Sequence, residues 1–448
     1  MTPFTVVTAA EERTFERDPF GVQPFFYARV GAELVIAQSL EGVLSHPGVP
    51  LDLDDRAVIN YVEDGLSADA EATVFAHVKR LPAAHRLHWQ RGELAIRRYW
   101  SVPEPRPPRR DAPARLEEAL RAAIRERLTA PTAVVFMSGG LDSTTLAALA
   151  REVAPEVRLL AMTSVYRSRI ASVEERYATE AARSIGIDIR CIPLDGYGAL
   201  QALDECVWTA DPGALVTAPA SRAIHAMAAE HAPVAMHGHP ADAVLAADLK
   251  GYLRSLPPLQ LFAALVRYTV VKRRPPYFFF RPERKRAPVF RPLWLRMKGY
   301  EWQVTQPLDS PAWSSYFEWA HPSVTGAAVE LVYPWLDTRV VEAAMELAPV
   351  PWLIDKHVVR ELLRGRVSEV IRRRPKTFVP ADPWQAPLPV GRSLEIEAAS
   401  RYIDPAAFRE ALRGASALSN RTLRAVALEY WLRELPSQAA RLRSTNRA

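Results

Sequence analysis

A chain of 448 residues has room for two or three domains. With 49% hydrophobic and 24% charged residues it can bury sizeable cores, which excludes wholesale disorder. A formal net charge of +6 tilts it mildly toward acidic partners such as nucleotides, phosphates or acidic peptides.

Cysteine use excludes further classes. Cys191 and Cys206 are the only two, too few for a disulfide framework or a Cys-rich zinc site. The N-terminus, MTPFTVVTAAEERTFERD, has no basic stretch leading into an apolar core, so no secretory signal is expected. No uncharged apolar run reaches the roughly 18 residues of a membrane span. A cytoplasmic protein without a membrane partner is expected.

Residues 1–100 are strand-rich in character, with short apolar runs such as PFFYARV and ELVIAQSL between turn signals. A proline- and charge-rich stretch, Val102 to Ala114, reads as a linker. The reading therefore places one domain at 1–104 and a second at 105–448. After the linker, Leu116, Leu120, Ile124 and Leu128 recur every fourth residue, an amphipathic helix with Asp111 as its cap and Pro113 in its first turn. A strand is predicted over Thr132–Met137 and a helix over Asp142–Val153. Next come a strand near Arg158–Thr163, a helix near Val173–Ile185, and strands near Ile187–Pro193 and Val234–His237. Strands alternating with helices predict an α/β fold built on a parallel sheet. From Ala263 the pattern turns helical and less regular. Between Arg267 and Lys298 stand eleven Lys or Arg residues, one acid (Glu283) and several aromatics. That run reads as a solvated insertion over the site, a docking surface for a peptide or protein, or a nucleic-acid contact. Its many prolines disfavour a groove-reading helix, so nucleic acid is not the expected partner.

The stretch Ser138-Gly139-Gly140-Leu141-Asp142-Ser143 joins a predicted strand to a predicted helix. Its glycines allow close backbone approach, and a helix N-terminus offers unpaired N–H groups to an anion. Asp142 would repel a bare phosphate, and its presence makes sense if Mg²⁺ lies between them. The Gly-Lys-Ser/Thr ending of a Walker loop is missing.

In this context SGGLDS resembles the pyrophosphate loop of the N-type ATP pyrophosphatases, which split ATP between the α- and β-phosphates and form an adenylate. RDPFGVQPFFYARVGAELVIAQSLEGVL (Arg17 to Leu44) and YWSVPE (Tyr99 to Glu104) resemble the glutaminase lobe of asparagine synthetases. YPWLDTRVVEAAMELAP (Tyr333 to Pro349) and RRRPKTFVPADPW (Arg372 to Trp384) resemble their synthetase lobe. The resemblance spans nearly the whole chain and is weakest over about 250–310. It implies an adenine nucleotide alpha hydrolase-like synthetase domain with helical additions, preceded by a glutaminase-like β-rich domain. A working glutaminase needs an N-terminal Cys, and this chain opens Met1-Thr2 with a short lead into RDPFG. The lobe is therefore expected to be truncated and inactive, with the substrate supplying its own amine. β-Lactam synthetases and lasso-peptide macrolactam cyclases are built in this way.

The resemblance implies roles for particular residues. ATP and Mg²⁺ would be the cofactors. Ser138, Gly139, Gly140 and Ser143 would bind pyrophosphate, while Phe136, Met162 and Gly238 would line the adenosine pocket, with Met162, at the end of a strand, otherwise a core residue. Asp242, in MHGHPADAVLAADL, would be the second Mg²⁺ carboxylate beside Asp142, or else a helix cap; Ala243 departs from the family's Glu. His239 stands where asparagine synthetases have Glu, β-lactam synthetases have Tyr and lasso cyclases have His. It would take a proton from the attacking ammonium or orient the substrate, with Glu318 orienting it in turn. The alternatives are a histidine bound only to loop backbone, a His237–His239 metal pair, and a Glu318 that is merely solvated. Lys376 would neutralise anionic intermediates. Arg372, Arg373 and Arg374 are either solvated or help to hold pyrophosphate.

Lasso-peptide cyclisation is the first expectation. An Asp or Glu side chain of a precursor peptide would be adenylated and joined to the peptide's N-terminal amine. A leader peptidase and a leader-recognition protein would then be partners. A β-lactam synthetase or other small-molecule amide ligase, and a non-catalytic peptide- or nucleotide-binding paralogue, stay open as alternatives.

Overall fold

The computed structural model describes residues 4–65, 69–168, 173–198, 201, 208–276, 307–375, 394–413 and 419–445. Residues 4–100 make two antiparallel sheets. The first has the order β1-β4-β3-β5, from Thr5–Val7, Glu33–Ala37, Phe26–Val30 and Val78–Arg80. The second has the order β2-β6-β7, from Glu12–Glu16, His85–Gln90 and Glu93–Arg98. Period-two alternation explains how they stack. Tyr27, Leu34 and Ile36 face Leu87 and Trp89 across the gap between sheets. Phe26, Ala28, Val35 and Ala37 point the other way, toward helices α1 (Leu40–Leu44) and α2 (Asp55–Asp64).

The second lobe is built on a parallel sheet of order β10-β9-β8-β11-β12: Asp188–Pro193, Arg158–Val165, Thr132–Phe136, Val234–His237 and Glu330–Val332. The helices around it include α3 (Ala112–Arg127), α4 (Leu141–Val153), α5 (Glu174–Ile185) and α6 (Ala214–Ala229). Leu116, Leu120 and Ile124 of α3 are fully buried, as their spacing predicts. Asp111 occupies the N-cap position but makes no capping bond, because Arg109 takes both carboxylate oxygens, at 3.0 and 2.9 Å. Strands run outward from the centre in both directions, and the order reverses between β8 and β11. In such sheets the loops that leave these two strands diverge and open a crevice at the carboxyl edge.

Further helices complete this lobe. α7 (Ala241–Val244), α8 (Leu249–Ser255) and α9 (Pro258–Lys272) follow β11, and α10 (Ala312–Ala320) precedes β12. α11 (Thr338–Met345), α12 (His357–Leu362) and α13 (Asn420–Thr445) come after it. The C-terminal helix α13 packs into the first lobe: Trp431 and Leu428 are buried with Phe75 and Tyr61. Arg424, fully buried, donates to the Val62 and Glu63 carbonyls at 2.9 and 2.6 Å and so caps the end of α2. The proline-rich stretch before α3 is tied down as well. Arg106 and Arg109 donate their backbone N–H groups to Met345 and Glu346, and the side chains of Arg106, Arg109 and Arg115 surround the Glu346 carboxylate.

No helix among the described residues is long and apolar enough to cross a membrane. Of the basic run from Arg267, residues 277–298 lie outside the described residues; Arg267 and Lys272 belong to α9.

Candidate active site

The loop 138–143 leaves β8 at the point where the strand order reverses. Gly140 is the N-cap of α4 and no side chain caps that end, so the first-turn N–H groups face outward with the positive end of the helix dipole. Gly139 carries the turn. Its φ is +71°, and a Cβ there would lie 2.4 to 2.6 Å from backbone atoms of Tyr177 and Ala178. The loop therefore sits directly on the first turns of α5. Gly238, at the end of β11, does the same from the other side: a Cβ would lie 2.8 Å from the Ser143 nitrogen. The two loops that flank the crevice touch backbone to backbone.

Three charges meet there. Lys356 Nζ lies 2.6 and 2.5 Å from the two oxygens of Asp142 and 2.6 Å from Oδ1 of Asp242. All three side chains are largely buried, with 14% of Lys356, 23% of Asp142 and 11% of Asp242 exposed. Burial works against the ammonium, but the two carboxylates outweigh it and hold its pKa above the ordinary lysine value. The carboxylates converge on one cation-sized point. Two aspartates together with phosphate oxygens form the hard oxygen donor set that Mg²⁺ takes, so these residues fit that ion. No group of three or more acidic, His or Cys side chains suited to a metal occurs among the described residues. A His237–His239 metal pair gains no third protein ligand there.

Arg374 braces the loop. Its Nη1 donates to the Ser138 carbonyl at 2.8 Å, and its guanidinium lies 4.1 Å from the centre of the Tyr177 ring. Glu174, at the start of α5, is drawn above the usual carboxylate range by burial, an effect that Arg374 opposes. Arg372 and Arg373 instead pair with Glu369, at 2.5 and 2.7 Å.

His239 follows Gly238 on the second loop. Its ring stacks on His237 at 4.7 Å and meets Tyr316 edge-on at 5.5 Å. His237 Nδ1 accepts the His239 backbone N–H at 3.1 Å, which leaves the ring proton of a neutral His237 on Nε2. Burial first, then His239 and His225, hold the His237 pKa far below the ordinary value, so it stays neutral. The pair gives His239 an uncharged aromatic floor.

Two expectations from the sequence need correction. Glu318 does not serve His239. It is buried at 2% exposure, and its two oxygens go to Arg80 Nη2 at 2.6 Å and to the Ala210 N–H at 2.7 Å. An interior carboxylate requires fixed donors on both oxygens, and Arg80 of the first lobe supplies the charge. Met162 does not line a pocket: its side chain is fully buried in the core and its carbonyl accepts the Met137 N–H at 2.8 Å. Phe136 is half-buried, with its ring 5.9 Å from those of His225 and His237. Ser138, Gly139, Gly140, Gly238 and His239 lie on the two loops that leave β8 and β11, and Asp142, Ser143 and Asp242 lie in the first turns of the helices α4 and α7 that follow them. Lys376 lies outside the described residues.

Lys356 escaped the reading of the sequence. Its signal was the charged pair Asp355-Lys356 set between the apolar VPWLI and the helix that starts at His357.

A family model described as asparagine synthase matches residues 115–433, and one described as a glutamine amidotransferase domain matches residues 1–100. Asparagine synthetase (glutamine-hydrolyzing) 3 of Bacillus subtilis strain 168 is 29% identical over 137 residues, 30% of this chain and 22% of that protein. A putative asparagine synthetase (glutamine-hydrolyzing) of Mycobacterium tuberculosis strain ATCC 25618 / H37Rv is 29% identical over 269 residues, 57% of this chain and 40% of that one. The matched stretches thus span well under half the length of these relatives. Among solved structures, NMN synthetase from Francisella tularensis is 12% identical with a TM-score of 0.24, covering 72% of this chain and 94% of that one. The U34-tRNA thiolase NcsA from Methanococcus maripaludis is 12% identical with a TM-score of 0.26, covering 57% and 70%. The chain belongs to the asparagine synthase family, its synthetase part filling residues 115–433.

Proposed function

We propose that this chain is an ATP- and Mg²⁺-dependent ligase that adenylates a side-chain carboxylate of a precursor peptide and closes an amide with an amine of the same molecule. A lasso-peptide cyclase, working with a leader peptidase and a leader-recognition protein, is the specific form of this reading. The observation that carries it is His239, placed three residues before Asp242 on the crevice loop, with its ring on neutral His237 and against Tyr316. A histidine so placed suits the deprotonation of an ammonium near neutral pH.

Asp142 and Asp242 would hold Mg²⁺, which screens the phosphate charges of bound ATP. The first-turn N–H groups of α4, with Ser138 and Ser143, receive the β- and γ-phosphates. Lys356, which pairs with the two aspartates when no ion is bound, would turn to the phosphates and share their charge when Mg²⁺ takes those oxygens. A carboxylate oxygen of the peptide attacks the α-phosphorus, the bond to the β-phosphate breaks, and pyrophosphate leaves. The amine nitrogen then attacks the acyl carbon, its proton passes to His239, and AMP departs. Lys376 would offset the negative charge of that step.

The test is pyrophosphate release with a peptide that carries a free N-terminal amine and an internal Asp or Glu, followed by mass spectrometry for loss of one water. Release with cyclisation is expected, with no ammonia from glutamine. Asp142→Ala should abolish release, and unchanged turnover would sink the enzymatic reading. His239→Ala should slow ring closure more than adenylate formation. Equal loss of both steps would remove His239 from the amine's path. Turnover of a small amino acid derivative alone would move the assignment to a small-molecule amide ligase.

A further inference from the structure

Asp355 and Lys356 are consecutive non-glycine residues in the left-handed region, at φ +49° and +55°. L-residues avoid that conformation, and two in a row persist only where the surroundings hold them. The turn nevertheless delivers Lys356 between Asp142 and Asp242, 214 residues away from Asp142 in sequence. One side chain fixes it. Arg360, one turn into α12, donates Nε to the Asp355 carbonyl at 2.9 Å. The same guanidinium donates Nη1 to the Arg372 carbonyl at 2.6 Å and Nη2 to the Arg374 carbonyl at 3.0 Å. Arg374 is the residue whose side chain holds the Ser138 carbonyl. On the other face of the turn, Lys272 of α9 pairs with the Asp355 carboxylate.

We propose that Arg360 is a positioning residue: its guanidinium ties the turn that carries Lys356 to the segment that carries Arg374, and so sets both cations against the 138–143 loop. Its guanidinium donates to three backbone carbonyls, none of them on the loop or the two aspartates. A planar fork is suited to this task and an ammonium is not, because only the guanidinium offers donors in fixed directions to three separate acceptors. The inference rests on reading the Asp142–Asp242–Lys356 cluster as the pyrophosphate site.

The experiment measures binding of inorganic pyrophosphate with Mg²⁺ to the full chain by calorimetry. The variants are Arg360→Lys, Arg360→Ala, Lys356→Ala and the double variant, with the melting temperature recorded for each. Arg360→Ala should weaken binding by about 10²-fold, the scale of a displaced charge in a site. Arg360→Lys should recover little of the loss, and added ethylguanidinium should restore Arg360→Ala in a saturable way. In the Lys356→Ala background, Arg360→Ala should cost clearly less than it does alone, because it acts in part through that lysine. If Lys356→Ala binds as tightly as the wild type, the pyrophosphate-site reading falls, and the inference with it. If Lys356→Ala loses affinity while Arg360→Ala keeps it, the site reading stands and the inference is overturned. Multiplicative losses, or loss with no guanidinium rescue, would mean general destabilisation and would also overturn it. Should Arg360→Ala fail to fold, Arg360→Lys carries the comparison, and wild-type affinity in that variant overturns the proposal.

Discussion

Lys356 occupies a place that a solitary ammonium would avoid, and two carboxylates make the place tolerable. Its removal should expose what they do to each other. In Lys356→Ala, Asp142 and Asp242 would face one another with no cation between them, and like charges at such range repel strongly in a partly buried site. The melting temperature should fall in the presence of a chelator. With no pyrophosphate present, added Mg²⁺ should raise it more in the variant than in the wild type, because the lysine pairs with the same oxygens while no phosphate draws it away. An equal Mg²⁺ response in both proteins would separate the aspartates from the metal. Gly139 gives a second residue-scale prediction. In Gly139→Ala a methyl group would enter within 2.6 Å of Tyr177 backbone at a φ of +71°. The left-handed φ alone costs about 1–2 kcal/mol, and the clash adds to it. Pyrophosphate release should be lost, together with a lowered unfolding midpoint; normal activity would show that the loop does not need this turn. At this scale the sequence was readable where chemistry is local. Ser138 to Ser143 lie within six consecutive positions, and their glycines, hydroxyls and acid announce an anion. Lys356 was unreadable because Asp142 lies 214 residues away, and Arg374 could be read only as solvated or as a pyrophosphate holder, because the Ser138 carbonyl it braces lies 236 residues away. Glu318 failed for the same reason, since its partner Arg80 belongs to the other lobe, 238 residues off.

At the scale of elements, periodicity located the strands that matter. The predicted strand at Val234–His237 coincides with β11, and Thr132–Met137 overshoots β8 by one residue. The helices after the loop begin within a residue of their predicted starts, at Leu141 and Glu174. Among the elements that went unread, two stand in the second lobe's core. The alanine-rich α6 carries Pro219 within it and is buried along several faces, so it shows no clean amphipathic stripe. The strand β12 is only three residues long and owes its place to pairing with β11, a contact no local pattern encodes. Of the stretch Val102 to Ala114, residues up to Asp111 are irregular as expected while Ala112 to Ala114 already belong to α3, and its attachment was not visible. Backbone bonds from Arg106 and Arg109 to the end of α11 depend on residues some 240 positions downstream. Helix α3 shows what periodicity does encode. Leu120 is fully buried in the core of the second lobe, so Leu120→Ala should cost about 2–5 kcal/mol in chemical denaturation. A loss well below that range would mean that the site collapses around the missing atoms.

The whole molecule is interlocked rather than strung as two beads. The C-terminal helix α13 completes the core of the first lobe, and a buried charge cluster joins the lobes at a second place. There Arg80 of β5 meets Glu318, and Asp211 lies beside them with its oxygens on the Gly213 N–H at 2.9 Å and the Ser315 hydroxyl at 3.2 Å. Burial first, then the charge of Glu318, pushes the Asp211 carboxyl up to about 7, against the pull of Arg80. The sign of the consequence follows from proton linkage. Between pH 4 and 7 the unfolded chain has released this proton while the folded chain keeps it, so stability from this group is present at low pH and is lost as pH rises toward 7. Asp211→Asn keeps a neutral side chain of the same shape at every pH. Its stability relative to the wild type should therefore be greater at pH 8 than at pH 5, by an amount on the order of a few kcal/mol. Urea denaturation of both proteins at the two pH values measures this directly. A difference that does not change with pH would show that Asp211 is ionised throughout and that Arg80 serves both carboxylates at once.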